Sequence, residues 1–366
     1  MRVAVYYPRY LIGDGGPTLA VRGWVEALRG AGAEVGVFCQ QSPEPPSPVP
    51  SAVLPLPHRG SGRTLRPVGL RDALRGWDIL WLHSGWVWHN IAAASHAKRL
   101  RIPYVVTPHG AYDPNVLRRT RLAKGLWWMA LERRFLRESA ALHVFFEGEQ
   151  GAIRRLGYRG AFVTAPNGIE FPPTPTWDGG TGGYLLWLGR YDVQTKGLDL
   201  LLQAVAALPR NQRPLVRMHG PDYRGGRREV ERLVAALGLG EIVEVGGPVY
   251  GVAKEDAFAR AAAFIYPSRW DAHSVAVLEA LARGVPTIVT ACMHIAPLLK
   301  AGGAGFVVEP EPSELARAIE RAIGTEGGAV ARTGRGVCQE QFAWPAVARA
   351  FLAQVRGLLD SRVGVP

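Results

Sequence analysis

Tyr184-Leu185-Leu186-Trp187-Leu188-Gly189-Arg190-Tyr191-Asp192-Val193-Gln194-Thr195-Lys196-Gly197-Leu198-Asp199-Leu200-Leu201-Leu202 reads as a strand, a loop and the start of a helix. The five apolar residues at 184–188 make a strand that is hydrophobic on both faces, as a parallel sheet covered by helices on each side requires. Leu200, Leu201, Ala204, Val205 and Leu208 then line one face of a helix. Such a unit, repeated, builds a doubly wound α/β domain.

Toward the C-terminus the alternation continues, with strands predicted at 215–218, 242–245, 263–266, 287–289 and 306–308. Toward the N-terminus a Pro-rich then Gly-rich run at 171–183 interrupts it and reads as a linker. Before that run the same pattern appears again, with strands at 3–7, 35–38, 79–82, 104–106 and 142–145. A helix at 17–28 opens on Pro17, whose missing N–H suits a first turn. Pro-rich residues 43–57 read as an exposed excursion. The expected organisation is α/β, with two doubly wound Rossmann-like domains facing each other across a cleft. The first is expected at 1–170 and the second at 184–344, with 345–366 a final helix returning to the first. Two domains also suit 366 residues, which exceed one ordinary core.

The formal net charge of +12 favours anionic partners such as nucleic acid, acidic headgroups or phosphorylated substrates. No nucleic-acid recognition motif accompanies the charge, so nucleic acid is not an expected partner. Cys39, Cys292 and Cys338 lie far apart, without metal-ligand or disulfide-framework spacing, which fits a reducing cytoplasm. The opening apolar run is too brief for an export signal, and no uninterrupted apolar run is long enough to cross a bilayer.

Ligands of doubly wound sheets sit beyond the carboxyl ends of the strands, so the residues just after each strand are the candidates. Gly15 and Gly16, before the first helix, can let backbone N–H groups approach a diphosphate; a plain glycine turn is the competing reading. Thr107-Pro108-His109-Gly110 puts an imidazole where it can hydrogen-bond a sugar hydroxyl, or simply lie buried. Arg190 and Lys196 share one strand-to-helix loop and can stabilise a leaving diphosphate. In Ser268-Arg269-Trp270-Asp271-Ala272-His273-Ser274-Val275, Ser274 is a helix N-cap. Asp271 and Glu279 flank that helix start, where they can accept hydroxyls of a sugar and a ribose, or merely stabilise the helix.

In order and spacing these pieces resemble the family 4 retaining glycosyltransferases, which have the GT-B fold. The matching segments are Gly15-Gly16, 107–110, Pro166-Asn167-Gly168-Ile169, Gly189-Arg190 with Lys196-Gly197, 267–279 and Phe342-Ala343-Trp344. The resemblance implies that Arg190 and Lys196 bind the donor diphosphate, Glu279 the ribose, and Asp271 with His273, Ser274 and Val275 the transferred sugar. It places His109 near the reaction centre. The family's Glu-Gly-Phe-Gly is replaced here by Asp271-Ala272-His273-Ser274, which implies altered sugar recognition.

The implied reaction is retaining, metal-independent sugar transfer from a UDP- or GDP-sugar, with no cofactor beyond the donor. The acceptor would be a glycan, a lipid-linked molecule or a small molecule, in cell-envelope or exopolysaccharide synthesis. No Asp-x-Asp occurs in the chain. A nucleotide-sugar epimerase and a non-catalytic nucleotide-sugar binder on the same fold are the alternatives. Finally, Arg118, Arg119, Arg121, Lys124, Arg133, Arg134 and Arg137 interleave with Leu126, Trp127, Trp128, Met129, Leu131 and Phe135. That stretch is either a core-packed helix with an Arg-rich outer face or a peripheral contact for an acidic membrane.

Overall fold

The computed structural model describes residues 1–11, 16–42, 52–117 and 121–363. It divides into two units, one of Met1–Gly168 with Trp344–Pro366, the other of Ile169–Ala343.

The first unit contains β1 (Arg2–Tyr6), β2 (Glu34–Gln40), β3 (Val53–Leu56), β4 (His58–Arg59), β5 (Arg66–Pro67), β6 (Ile79–His83), β7 (Tyr104–Thr107), β8 (Ala141–Val144) and β9 (Ala161–Thr164). Seven of these form one parallel sheet in the order β3-β2-β1-β6-β7-β8-β9, and β4 pairs with β5 in a small antiparallel ribbon. The centre of the sheet is apolar on both faces, and two core clusters cover it. Val3, Val5 and Trp81 point to one, Ala4, Leu80 and Leu82 to the other, as strand alternation demands. The last helix, Trp344–Val363, supplies Val347, Phe351, Leu352 and Val355 to the first cluster. Phe351 stacks on Trp81 with ring centroids 4.4 Å apart.

The second unit contains β10 (Tyr184–Leu188), β11 (Leu215–His219), β12 (Val243–Gly246), β13 (Ala261–Tyr266), β14 (Thr287–Thr290) and β15 (Phe306–Val308). They form a parallel sheet in the order β12-β11-β10-β13-β14-β15. In both sheets the first strand lies centrally and the order reverses beside it, at β1/β6 and at β10/β13. These reversals are the switch points at which loops after adjacent strands diverge and leave room for a ligand.

Both units are thus doubly wound, as the alternation predicts. Of the strands the sequence reading left out, β4 and β5 form the separate ribbon, and β3 and β9 lie at the edges of the large sheet. β3 contains Pro55, which an edge strand tolerates because proline, lacking an N–H, leaves no inner ladder short of a donor; β9 is short and only half-covered. Residues 43–51 of the Pro-rich excursion lie outside the described residues, and the rest of it is partly strand rather than loop. The 171–183 run packs within the second unit, where the Trp177 indole N–H donates to the Ala261 carbonyl at 2.8 Å.

Candidate functional site

In the second unit the loops after β10 and β13 meet at the switch point. After β10, Asp192 caps a short helix, Val193–Lys196, by accepting the Thr195 N–H at 3.2 Å. Gly197 ends it with φ +64°, and a Cβ there would sit 2.0 Å from the Pro267 carbonyl oxygen, so only glycine fits. The loop after β13 is tied to the same helix. Arg269 N–H donates to the Thr195 carbonyl at 3.0 Å, and its guanidinium grips Asp199 with two 2.7 Å hydrogen bonds. The buried Ser268 hydroxyl lies 2.8 Å from the Thr195 carbonyl and 2.7 Å from that of Trp270.

This lacing brings Lys196 to Asp271, with Nζ donating to Oδ2 at 2.7 Å; both side chains are mostly buried. The Tyr266 hydroxyl donates to the same oxygen at 2.9 Å, and the His273 N–H donates to Oδ1 at 3.2 Å. Burial alone would raise the Asp271 carboxyl, but the Lys196 charge and these hydrogen bonds outweigh it and hold the carboxyl below its usual range. Burial opposes the charge on Lys196, yet Tyr266 and Asp271 reverse the effect and raise the ammonium well above its ordinary value. The Tyr266 hydroxyl, buried beside Asp271, is pushed up to about 12 and stays protonated.

Both oxygens of Asp271 therefore already accept hydrogen bonds from the protein. The sequence reading has it touching the sugar; the geometry adds that it holds and neutralises Lys196. Arg190 differs. It is exposed, its guanidinium lies 4.7 Å from the Tyr223 ring centroid, and among the described residues no carboxylate pairs with it. Glu279 accepts from Lys254 Nζ at 2.6 Å. Ser274 caps the helix Val275–Arg283 by accepting the Val277 N–H at 3.4 Å, with Val275 as the first helical residue. His273 lies edge-on to Phe342, ring centroids 6.3 Å apart.

In the first unit Gly15 lies outside the described residues. Gly16 begins the helix Gly16–Gly30, and among the described residues a Cβ there would meet nothing within 4 Å, so no packing contact demands glycine. His109 follows β7 in the left-handed region, φ +50°, and its Nε2 is 3.1 Å from Nδ1 of His83. Ser84 and Trp86, after β6, also have positive φ (81° and 63°). Such strain needs outside support. Asn90 provides part of it, donating to the His83 and Ser84 carbonyls at 2.8 Å each. The buried Glu132 provides more, accepting from the Trp86 N–H at 2.8 Å, the Tyr112 hydroxyl at 2.5 Å and the Trp127 indole at 2.8 Å.

Arg118 and Arg119 of the basic aromatic stretch lie outside the described residues. Phe135 and Leu136 are buried, whereas Leu126 and Met129 are 67% and 70% exposed, with Arg133 and Arg137 also in solvent. The stretch is thus part core and part exposed. Among the described residues no helix is long and apolar enough to cross a membrane.

Sequence reasoning passed over Tyr266, Lys254, Arg269 and His83. Only His83 had a signal, for it ends a buried strand as His109 follows one. Lys254 and Arg269 act through partners distant in the chain, and Tyr266 through Asp271, which a strand-end tyrosine does not announce.

Comparison with known proteins bears on both units. The model described as Glycosyl transferases group 1 matches residues 182–325, and that of the Glycosyl transferase 4-like domain matches 15–168. GDP-mannose:cellobiosyl-diphosphopolyprenol alpha-mannosyltransferase of Xanthomonas oryzae pv. oryzae is 22% identical over 263 residues, 71% of this chain and 68% of that one. D-inositol 3-phosphate glycosyltransferase of Streptomyces avermitilis is 29% identical over 167 residues, 42% of this chain and 36% of its own length. Sucrose-phosphate synthase from Thermosynechococcus elongatus matches with a TM-score of 0.75 at 21% identity, covering 99% of this chain and 100% of that chain. Anabaena HepE in complex with UDP-glucose matches with a TM-score of 0.74 at 16% identity, covering 98% and 100%. At these identities the structural likeness speaks for the fold.

Proposed function

Starting from a chain that belongs to the group 1 glycosyl transferases and has the two-domain GT-B fold, we propose that it is a retaining, metal-independent enzyme using a UDP- or GDP-sugar. The transferred sugar goes to a glycan, lipid-linked or small-molecule acceptor in cell-envelope or exopolysaccharide synthesis. The single observation that supports this most is the pairing of Lys196 with Asp271 at the switch point of the second sheet, in the same loop as Arg190, which no carboxylate among the described residues pairs with.

The chemistry follows from those charges. The bond between the anomeric carbon and the diphosphate oxygen breaks, and negative charge grows on that oxygen. Arg190 and Lys196 offset the charge, and because both are already fixed, by Tyr223 and by Asp271, little reorganisation opposes them. The acceptor oxygen forms the new bond on the same face and passes its proton to the leaving phosphate. Lys196 comes with its counter-charge, so Arg190 supplies most of the net attraction for the diphosphate. Asp271 orients the lysine, and the N–H groups of 273–275 are left to read the sugar. Glu279, held by Lys254, serves the ribose. The donor classes have support in the names of the relatives, one using GDP-mannose and one solved with UDP-glucose.

Thermal-shift screening against UDP-, GDP- and ADP-sugars, followed by nucleotide release with the stabilising donor, tests the proposal. A donor at about a hundred times its Kd should add about 2.7 kcal/mol of stability. Arg190→Ala should lose most of that shift. Conversion of the donor to an isomer without acceptor would identify an epimerase instead, and binding without turnover across acceptor classes a non-catalytic protein.

A further inference from the structure

The carboxyl ends of β6 and β7 bring two imidazoles together, and the partners of one dictate the state of the other. His83 is 1% exposed. Its Nδ1 is 3.1 Å from Nε2 of His109, whereas its own Nε2 is buried with no hydrogen-bond partner among the described residues. One proton must lie between the facing nitrogens, and it belongs to one ring or the other.

If His109 donated it, His83 would accept through Nδ1 and would carry its own proton on the orphaned Nε2. A buried N–H without an acceptor is the costlier defect; a buried lone pair without a donor is better tolerated. The proton therefore sits on His83 Nδ1 and is donated to His109 Nε2. His109 must then carry its proton on Nδ1. We propose that His83 is a positioning residue that fixes His109 as the neutral Nδ1–H tautomer.

Several features hold this arrangement. Asn90 anchors the His83 carbonyl at 2.8 Å. The His83 ring is walled by Trp81 and Tyr7, with centroids 4.8 Å and 5.8 Å away. Burial, followed by the neighbouring His109 and His143, depresses the basicity of His83 well below the ordinary value, so the donor ring stays neutral. Protonating His109 would make Nε2 a second donor and force His83 into its unfavourable tautomer. The pair thereby delivers one uncharged donor, Nδ1–H, to whatever His109 meets. Its use toward a sugar hydroxyl or phosphate oxygen rests on the glycosyltransferase reading, in which the family resemblance puts His109 on the donor side near the reaction centre.

The test separates the two claims. Full-length protein labelled with ¹⁵N-histidine, with His109 assigned by the signal lost in His109→Gln, should show His109 protonated on Nδ1 and bare on Nε2 near neutral pH. His83→Asn, whose carboxamide nitrogen replaces Nδ1, should keep that tautomer and most of kcat. His83→Leu should give mixed tautomers and a kcat lower by about tenfold, with donor KM nearly unchanged. An Nε2–H His109 in the wild type, or an Nδ1–H signal unaltered in His83→Leu, would overturn the proposal. Unchanged turnover in His109→Gln would remove the donor-side role and leave the tautomer result standing.

Discussion

Asp271 is one methylene shorter than the glutamate of the family pattern, and its oxygens are taken up by Lys196, Tyr266 and the His273 N–H. The departure visible in the sequence thus has a local physical meaning, for the carboxylate serves the lysine. Removing Lys196 would leave a buried carboxylate uncompensated, which costs about 3–5 kcal/mol. Lys196→Ala is therefore expected to lose stability as well as turnover. Lys196→Ala with Asp271→Ala should recover much of the stability and none of the activity in urea denaturation and nucleotide-release assays. Equal stability of the two variants would contradict the pairing. The depressed Asp271 carboxyl contributes stability above its unfolded value near ~4 and loses it as pH falls through the folded value. The raised Lys196 contributes fully below about pH 10 and loses its share only as pH rises past the folded value.

The helix Glu147–Arg155 begins directly after β8, and Glu149 closes its first turn by accepting the Phe145 and Phe146 N–H groups at 2.7 Å and 3.1 Å. Burial raises this carboxyl to about 7, the two amides lower it only in part, and Asp113 adds a little upward. For an acid raised on folding, the folded chain binds the extra proton. Stability is thus complete below about pH 4 and falls as pH rises through about 7. Urea midpoints should drop between pH 5 and pH 8 in the wild type and change less in Glu149→Gln; an identical drop in both would assign it elsewhere. Helices and central strands were legible because periodicity and double-sided burial are local properties. β3 and β9 were not, because edge strands carry neither a continuous apolar run nor strict alternation.

The net charge of +12 is a property of the whole chain, and it sets how the protein meets acidic surfaces. The structure exposes Leu126 and Met129 in an Arg-bearing stretch whose aromatics turn inward, Trp127 toward Glu132 and Phe135 into the second core cluster of the first unit. Peripheral contact with an acidic bilayer is proposed through that stretch. Sedimentation with anionic liposomes should show binding at low salt that weakens as salt screens it, and Leu126→Ser with Met129→Ser should reduce it. No sedimentation at low salt would end the membrane proposal.

The amino-acid sequence by itself determined two doubly wound α/β halves and the loops that would bear the chemistry, because the rule placing ligands at strand ends needs only the strands. Which side chains in those loops meet was decided by the tertiary structure alone. Lys196 and Asp271 are 75 positions apart and touch because β13 pairs with β10. His83 and His109 meet because β6 pairs with β7. Strand order comes from the packing of helices on both sheet faces, a sum over many distant contacts that no local window of sequence contains.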